Sequence, residues 1–272
     1  MGIQTQTKLN WLQRFLPEGL VADATWLEEH GYSRALRNKY VARGWLDQVA
    51  RGVYRRPAPT LQGKARSERL RWQPVVISLQ TLLGCSYTVG GRTALEMQGF
   101  AHYLSAGHRE IHLYGTRKPP GWIFKLKLDD RFVFHNSDRL FKSERMRLLE
   151  RSYIRQPWGQ WEWPLTMSSP ERAILELLDE VPQRETFHQA DVLMEGLRNL
   201  SPRRLQTLLN VCHSIKVKRL FLWFAERHQH PWLKKLEREH IDLGKGKRML
   251  VRGGKLDPKF KITVPGSIDA GG

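Results

Sequence analysis

"SRALRNKYVARGWLDQVARGVYRRP", residues 33–57, is the stretch on which the reading of the fold turns. Ser33 is an N-cap residue, because its short side chain can accept a free amide of a first helical turn. The helix it predicts, residues 34–43, ends at Gly44, where the chain can enter the left-handed region. Leu36, Tyr40 and Val41 can pack inward, while Arg34, Arg37, Asn38 and Lys39 fill the first two turns. Beyond Gly44, Trp45, Leu46, Val49, Val53 and Tyr54 are strand formers, and Arg51-Gly52 supplies a turn. A capped polar helix followed by a short arginine-bearing hairpin is the pattern of a recognition helix and its β-wing.

The upstream residues extend that pattern. Leu9, Leu12 and Leu16 recur with helical spacing, and Pro17 and Gly19 stop the helix. Asp23 can cap a second helix holding Trp26 and Leu27, which ends at Gly31. Two short helices joined through a glycine make a helix-turn-helix. Residues 1–60 are therefore expected to form a winged helix-turn-helix domain, with residues 60–68 as linker.

Such a helix meets DNA with its donor-rich face. Arginine suits guanine O6 and N7, and asparagine suits adenine N6 and N7. Arg34, Arg37, Asn38 and Lys39 occupy the N-terminal turns, which meet base edges. Arg43, Arg51, Arg55 and Arg56 are placed for phosphate, setting register and affinity. Tyr54 is expected to pack beneath the wing.

Charge supports a polyanionic partner. The 272 residues carry 45 Lys and Arg against 27 Asp and Glu, a net charge of +18. The surplus is +6 over residues 1–66, +2 over 67–200 and +10 over 201–272. DNA, RNA and an anionic membrane surface all fit such a balance. In the C-terminal part, KVKR (216–219), HPWLKK (230–235), KGKR (245–248) and KFK (259–261) suggest a second phosphate-binding surface, which would widen a DNA footprint or bind RNA. Ten tryptophans and 40% hydrophobic residues supply real cores. Cys85 and Cys212 sit among apolar residues and imply no disulfide framework, so a cytoplasmic location is expected. No apolar run approaches the roughly 18 residues that a membrane span needs, and the start lacks a signal-peptide core.

Residues 61–272 are expected to form a mixed α+β domain. Helices are predicted at 74–84, 90–100, 168–182 and 191–200, then after a Ser201-Pro202 cap and at 218–229. Strands are predicted at 109–116, 122–128 and 131–136, and the tail reads as a hairpin turned at Gly253-Gly254. Ser169 is the cap of the 168–182 helix, Pro170 its first residue, and Glu171 favours its positive end.

Catalysis is not expected, nor a cofactor or metal. Gly90-Gly91-Arg92-Thr93 is too short for a phosphate loop, and His228-x-His230 lacks a third ligand. A nuclease would draw on Asp242 and Asp257-Pro258-Lys259, a poor match to clustered metal-binding carboxylates. Asp129 and Asp130 are adjacent and would point to opposite sides of a strand, unlike the Asp-x-Asp of a nucleotidyltransferase. A transcription regulator whose second domain senses a small ligand remains open on the residues alone.

Three segments in order carry a resemblance. DATWLEEHGYSRALRNKYVARGWLDQVARGVYRRP, GGRTALEMQGFAHYL and SSPERAILELLDE resemble the AbiEi-type antitoxins of type IV toxin–antitoxin systems, over pieces from about residue 8 to 185. The resemblance implies a DNA-binding antitoxin of two domains. It would repress its own promoter, commonly at inverted repeats, and oppose a nucleotidyltransferase-like toxin without a stable complex. On the same motif match, Ser33, Arg34, Arg37, Asn38, Arg51 and Arg55 would be DNA contacts. The strongly basic C-terminal end departs from the pattern.

Overall fold

The computed structural model describes residues 2–57, 69–100, 109–141 and 149–268. The expected linker at 60–68, and with it the expected domain boundary, lies outside the described residues.

The chain opens with α1 (Gly2–Phe15), β1 (Val21–Asp23), α2 (Ala24–Glu29), α3 (Arg34–Ala42), β2 (Asp47–Ala50) and β3 (Val53–Arg55). The three strands form an antiparallel sheet in the order β1-β3-β2, with an irregularity between Gln48 and Ala50. Leu9, Leu12 and Leu16 lie buried against Leu27, Tyr32, Tyr40 and Leu46, so the helical spacing of leucines marks the packed face of α1. This part is a winged helix, as the sequence predicts. β1 is an addition: its three residues are too few to show a period.

α4 (Trp72–Thr81) ties the winged helix to the rest. Its Val75 packs with Val21 and Val53, and the Val21 amide donates to Ser78 Oγ at 2.8 Å. The Trp122 indole donates to Asp23 Oδ2 at 3.0 Å. A buried edge strand needs such partners, because an unpaired buried amide costs about as much as a lost hydrogen bond.

The second sheet contains β4 (Thr88–Val89), β5 (Glu110–Gly115), β6 (Arg131–Asn136), β7 (Tyr153–Trp158) and β8 (Trp163–Ser168), in the order β6-β5-β4-β8-β7. β4–β8 and β5–β6 are parallel; β4–β5 and β7–β8 are antiparallel. α5 (Gly91–Met97) and α6 (Pro170–Glu180) pack on it, followed by α7 (Phe187–Gly196), α8 (Pro202–Val211), α9 (Ile215–Arg227), β9 (Lys255–Asp257) and β10 (Ile262–Val264).

Three expectations are corrected. Residues 122–128 are not a strand; Gly121–Lys125 is a 3-10 helix that buries Ile123 and leaves Phe124 65% exposed. α7 starts at Phe187, because Thr186 and Gln189 form a reciprocal capping box there. The tail hairpin turns after Asp257, not at Gly253-Gly254, since β9 pairs with β10. Asp257 fixes that turn by accepting the Phe260 amide at 2.8 Å, and its carbonyl takes the Lys261 amide at 2.9 Å. Gly254 serves a close approach instead: a Cβ there would lie 2.5 Å from the Val264 carbonyl oxygen.

The Ser-Pro-Glu-Arg start of α6 is a structural knot. Ser169 and Pro170 hold the cap and first positions, though Ser169 makes no side-chain capping bond. Buried Glu171 accepts the Ser201 amide and an Arg204 N–H, both at 2.8 Å, anchoring the start of α8. Buried Arg172 donates to Glu176 at 2.7 Å, and its guanidinium lies 4.6 and 4.4 Å from the Phe141 and Tyr153 rings. Glu176 also accepts from Ser168 Oγ and the Gly91 amide, each at 3.0 Å. Gly90 has no room for a side chain against Glu176 and Tyr114. The glycine pair thus brings the start of α5 onto a buried carboxylate.

Candidate nucleic-acid interface

The turn that presents α3 is held chemically at each end. Asp23 Oδ1 accepts the Trp26 amide at 2.8 Å and starts α2. Gly31, at φ 82°, closes α2, and its carbonyl accepts from Lys8 Nζ at 2.8 Å. Ser33 Oγ accepts the Leu36 amide at 3.4 Å and starts α3.

Arg34, Ala35, Asn38, Lys39 and Ala42 form one exposed stripe on α3, with exposed Arg43 at its end. The alanines are small, so the polar side chains on the stripe stand clear. Arg34 and Lys39 carry no ion pair among the described residues. Arg43 lies 5.2 Å from the Trp45 ring centre. Arg51 stands exposed at the wing tip, where Gly52 has φ 76°, and Gln48 is exposed on β2. Ser33 is exposed beside the stripe. Tyr54 is buried beneath the wing, 5% exposed.

Three arginines expected at DNA face the protein. Arg37 is 4% exposed; it donates to the Tyr32 carbonyl at 2.7 Å and to Glu28 Oε1 at 2.8 Å. Burial opposes its charge, but hydrogen bonds to Glu28 and Tyr54 outweigh that, so its pKa is raised. Arg55 is buried and donates to Asp47 Oδ2 at 2.9 Å across the wing. Arg56 is half-buried and reaches the Gln13 and Leu16 carbonyls at 2.5 and 3.2 Å and Glu18 at 2.8 Å, clamping the end of α1. The exposed set is therefore Ser33, Arg34, Asn38, Lys39, Arg43 and Arg51. Gln48 was missed, having no charge to mark it. The placement of Arg37 had a signal: it precedes Tyr40 by three residues and Val41 by four, the spacing of one helix face.

The basic C-terminal end divides similarly. Lys218 and Arg219 are buried, and Lys216 donates to the Asp179 and Val181 carbonyls at 2.5 and 2.9 Å, so KVKR (216–219) is not a surface patch. Arg219 instead organises the surface: it donates to the carbonyls of Leu243 and Gly246 at 2.6 Å, Gly244 at 3.1 Å and Lys261 at 3.3 Å. Burial, with Arg248 close by, lowers its pKa. The loop it fixes presents Lys245, Lys247 and Arg248, with Arg252 and Lys255 exposed beyond.

The carboxylates considered for metal chemistry have structural partners. Asp242 accepts the Gly244 amide at 2.8 Å, and Asp257 accepts from Trp223 at 3.2 Å as well as from Phe260. His228 bonds Asp191 at 2.7 Å, while His230 meets the Met194 carbonyl at 2.6 Å. Among the described residues no three His, Cys, Asp or Glu side chains are grouped to hold a metal ion.

Comparison with known proteins gives the family. Residues 5–106 match the family described as transcriptional regulator, AbiEi antitoxin N-terminal domain. Residues 108–265 match the family described as transcriptional regulator, AbiEi antitoxin, type IV toxin–antitoxin system. The chain belongs to this family of transcriptional regulators. The two matches meet well beyond residue 60, so α4 and α5 fall in the N-terminal one. No curated protein matches the sequence. Among solved structures, the RV2827C protein from Mycobacterium tuberculosis aligns with a TM-score of 0.52 at 14% identity, over 95% of this chain and 90% of that one. At that identity the likeness is one of fold. No helix among the described residues is long and apolar enough to cross a membrane.

Proposed function

We propose that this AbiEi-family regulator binds double-stranded DNA at its own promoter, commonly at inverted repeats, through the exposed stripe of α3 and the wing tip. The observation that carries the reading is the stripe itself: Arg34, Asn38 and Lys39 stand together on the open face of a capped helix, while the opposite face packs. Asn38 and Arg34 have the donor geometry for adenine and guanine edges. Lys39, Arg43 and Arg51 supply phosphate contacts, with Ser33 at the helix start. Arg55, Arg56 and Arg37 hold these elements in place. The Arg219-braced loop gives a second phosphate-binding surface on the same DNA.

Family membership supports the remaining role. The protein opposes a nucleotidyltransferase-like toxin by controlling its expression and its effect, without a stable complex and without catalysis. The test pairs a promoter reporter with a toxicity assay of the neighbouring gene. Wild-type protein should silence the reporter and restore growth. A variant with Arg34 and Asn38 replaced by alanine should lose silencing. A reporter indifferent to the wild-type protein would contradict autoregulation; absence of growth rescue would contradict the antitoxin role.

A further inference from the structure

A cavity of about 330 Å³ lies between the winged helix and the tip of the β7–β8 hairpin. One wall is aromatic. Trp158 and Trp163 are the terminal cross-strand pair of the hairpin, and Trp161 stands at its tip, 55% exposed. The other wall is basic: Arg55 ends β3, and exposed Arg69 and Arg71 lead into α4. Glu18 lines the same cavity, but its Oε1 is engaged by Arg56 at 2.8 Å. Arg69 faces Asp129 at 3.2 Å with both side chains mostly in water, so an incoming anion can replace that partner at little cost.

Burial explains part of the hairpin but not its tip. An indole left 55% exposed forgoes most of the free energy that its burial would release. Tryptophans and arginines lining one small cavity complement a planar ring joined to a phosphate. The ring stacks on tryptophan, and the phosphate takes paired N–H donors from arginine. The volume falls at the lower end of ligand-sized cavities.

We propose that this cleft binds a nucleotide, base against the tryptophans and phosphate against the arginines. Free nucleotides and an unstacked nucleotide of a nucleic-acid strand share this chemistry. The proposal is independent of operator recognition, and its test contains no duplex DNA.

The experiment is a calorimetric titration of the full-length protein with guanosine and adenosine mono- and triphosphates, inorganic phosphate and a single-stranded tetranucleotide. Trp161→Ala and Arg69→Ala are compared with wild type; both positions are exposed, and unchanged melting temperatures establish that the fold is kept. At least one nucleotide should bind saturably, with affinity reduced about tenfold or more in each variant. A tetranucleotide that binds more tightly than any mononucleotide assigns the cleft to a strand; the reverse assigns it to a free nucleotide. Inorganic phosphate binding as tightly as the nucleotides would overturn the proposal. So would the absence of saturable binding, or binding indifferent to both substitutions.

Discussion

Arg37, in the middle of the helix that carries the exposed stripe, donates to Glu28 of the preceding helix at 2.8 Å and is itself 4% exposed. The arginine joins α2 to α3 and is buried, while Arg34 and Asn38 on the same helix are exposed. Arg37→Ala should therefore destabilise the protein by about 1.5–3 kcal/mol, the range for a hydrogen bond to a charged group. Glu28 is 58% exposed, which keeps the figure below that for a fully buried pair. Urea unfolding checks this. Folded Arg37→Ala protein should keep its preference for operator over random DNA.

Arg34→Ala and Asn38→Ala should behave oppositely. Both side chains are exposed, so unfolding curves should superimpose on wild type. Operator affinity should fall by about 1–3 kcal/mol for each bidentate pairing with a base that the substitution removes, with random-DNA affinity nearly unchanged. Fluorescence anisotropy on both DNAs separates the two effects.

Arg51→Ala at the wing tip should weaken operator and random DNA alike. The slope of log affinity against log salt should flatten by about one. Replacing Lys245, Lys247 and Arg248 by glutamine should flatten it further. Removing the tail is not an equivalent test, because Phe260, Ile262 and Val264 belong to the core. An unchanged slope in the triple variant would remove the second surface from the account.

The buried pair Arg172–Glu176 is 2% and 1% exposed. Glu176→Gln leaves the guanidinium without its counter-charge and should cost about 3–5 kcal/mol of stability. Adding Arg172→Met should recover part of that stability, since the charge then leaves together with its partner. Thermal unfolding of the single and double variants reads both.

His112 provides a pH-dependent stability. Burial, then the neighbouring His135 and Arg92, lowers its pKa from 6.5 to about 3. Its Nδ1 lies 2.9 Å from His135 Nε2, and His135 in turn meets Glu180 at 3.1 Å. Between those two pKa values the unfolded chain takes a proton that the folded chain refuses. Stability therefore falls as pH drops below about 6.5, with a slope approaching about 1.4 kcal/mol per pH unit. Glu180, where burial is outweighed by the His135 hydrogen bond together with the charges of His135, Arg184 and His112, has a lowered pKa and adds to the decline at lower pH. Burial raises the pKa of Glu185, which acts with the opposite sign. Denaturation of wild type and His112→Phe at several pH values checks it: the variant should show the shallower dependence.

The winged helix was legible because its boundaries are chemical. Asp23, Ser33, Gly31, Gly44 and Gly52 announce caps and turns at their own positions. The direction of Arg37 was less legible, although helical spacing put it with Tyr40 and Val41, because a charged side chain reads as solvent-facing. β7 and β8 went unread, since Pro157, Gly159 and Pro164 break any alternation while the tryptophans confuse it. Pro170 marked the start of α6, and Arg172–Glu176 is an i,i+4 pair within it; the partners of Glu171, however, come from the start of α8, and Arg172 also meets the Phe141 and Tyr153 rings. Those latter interactions are tertiary and leave no local trace.

The central claim is that α3 reads sequence. Its most direct test is an anisotropy titration of purified wild type and Asn38→Ala against the DNA upstream of the gene and a shuffled control, at two salt concentrations. The account predicts tight, selective binding by wild type and a selectivity reduced by about 1–3 kcal/mol in Asn38→Ala, with salt dependence retained in both. Equal, salt-sensitive binding of both DNAs by wild type would contradict it.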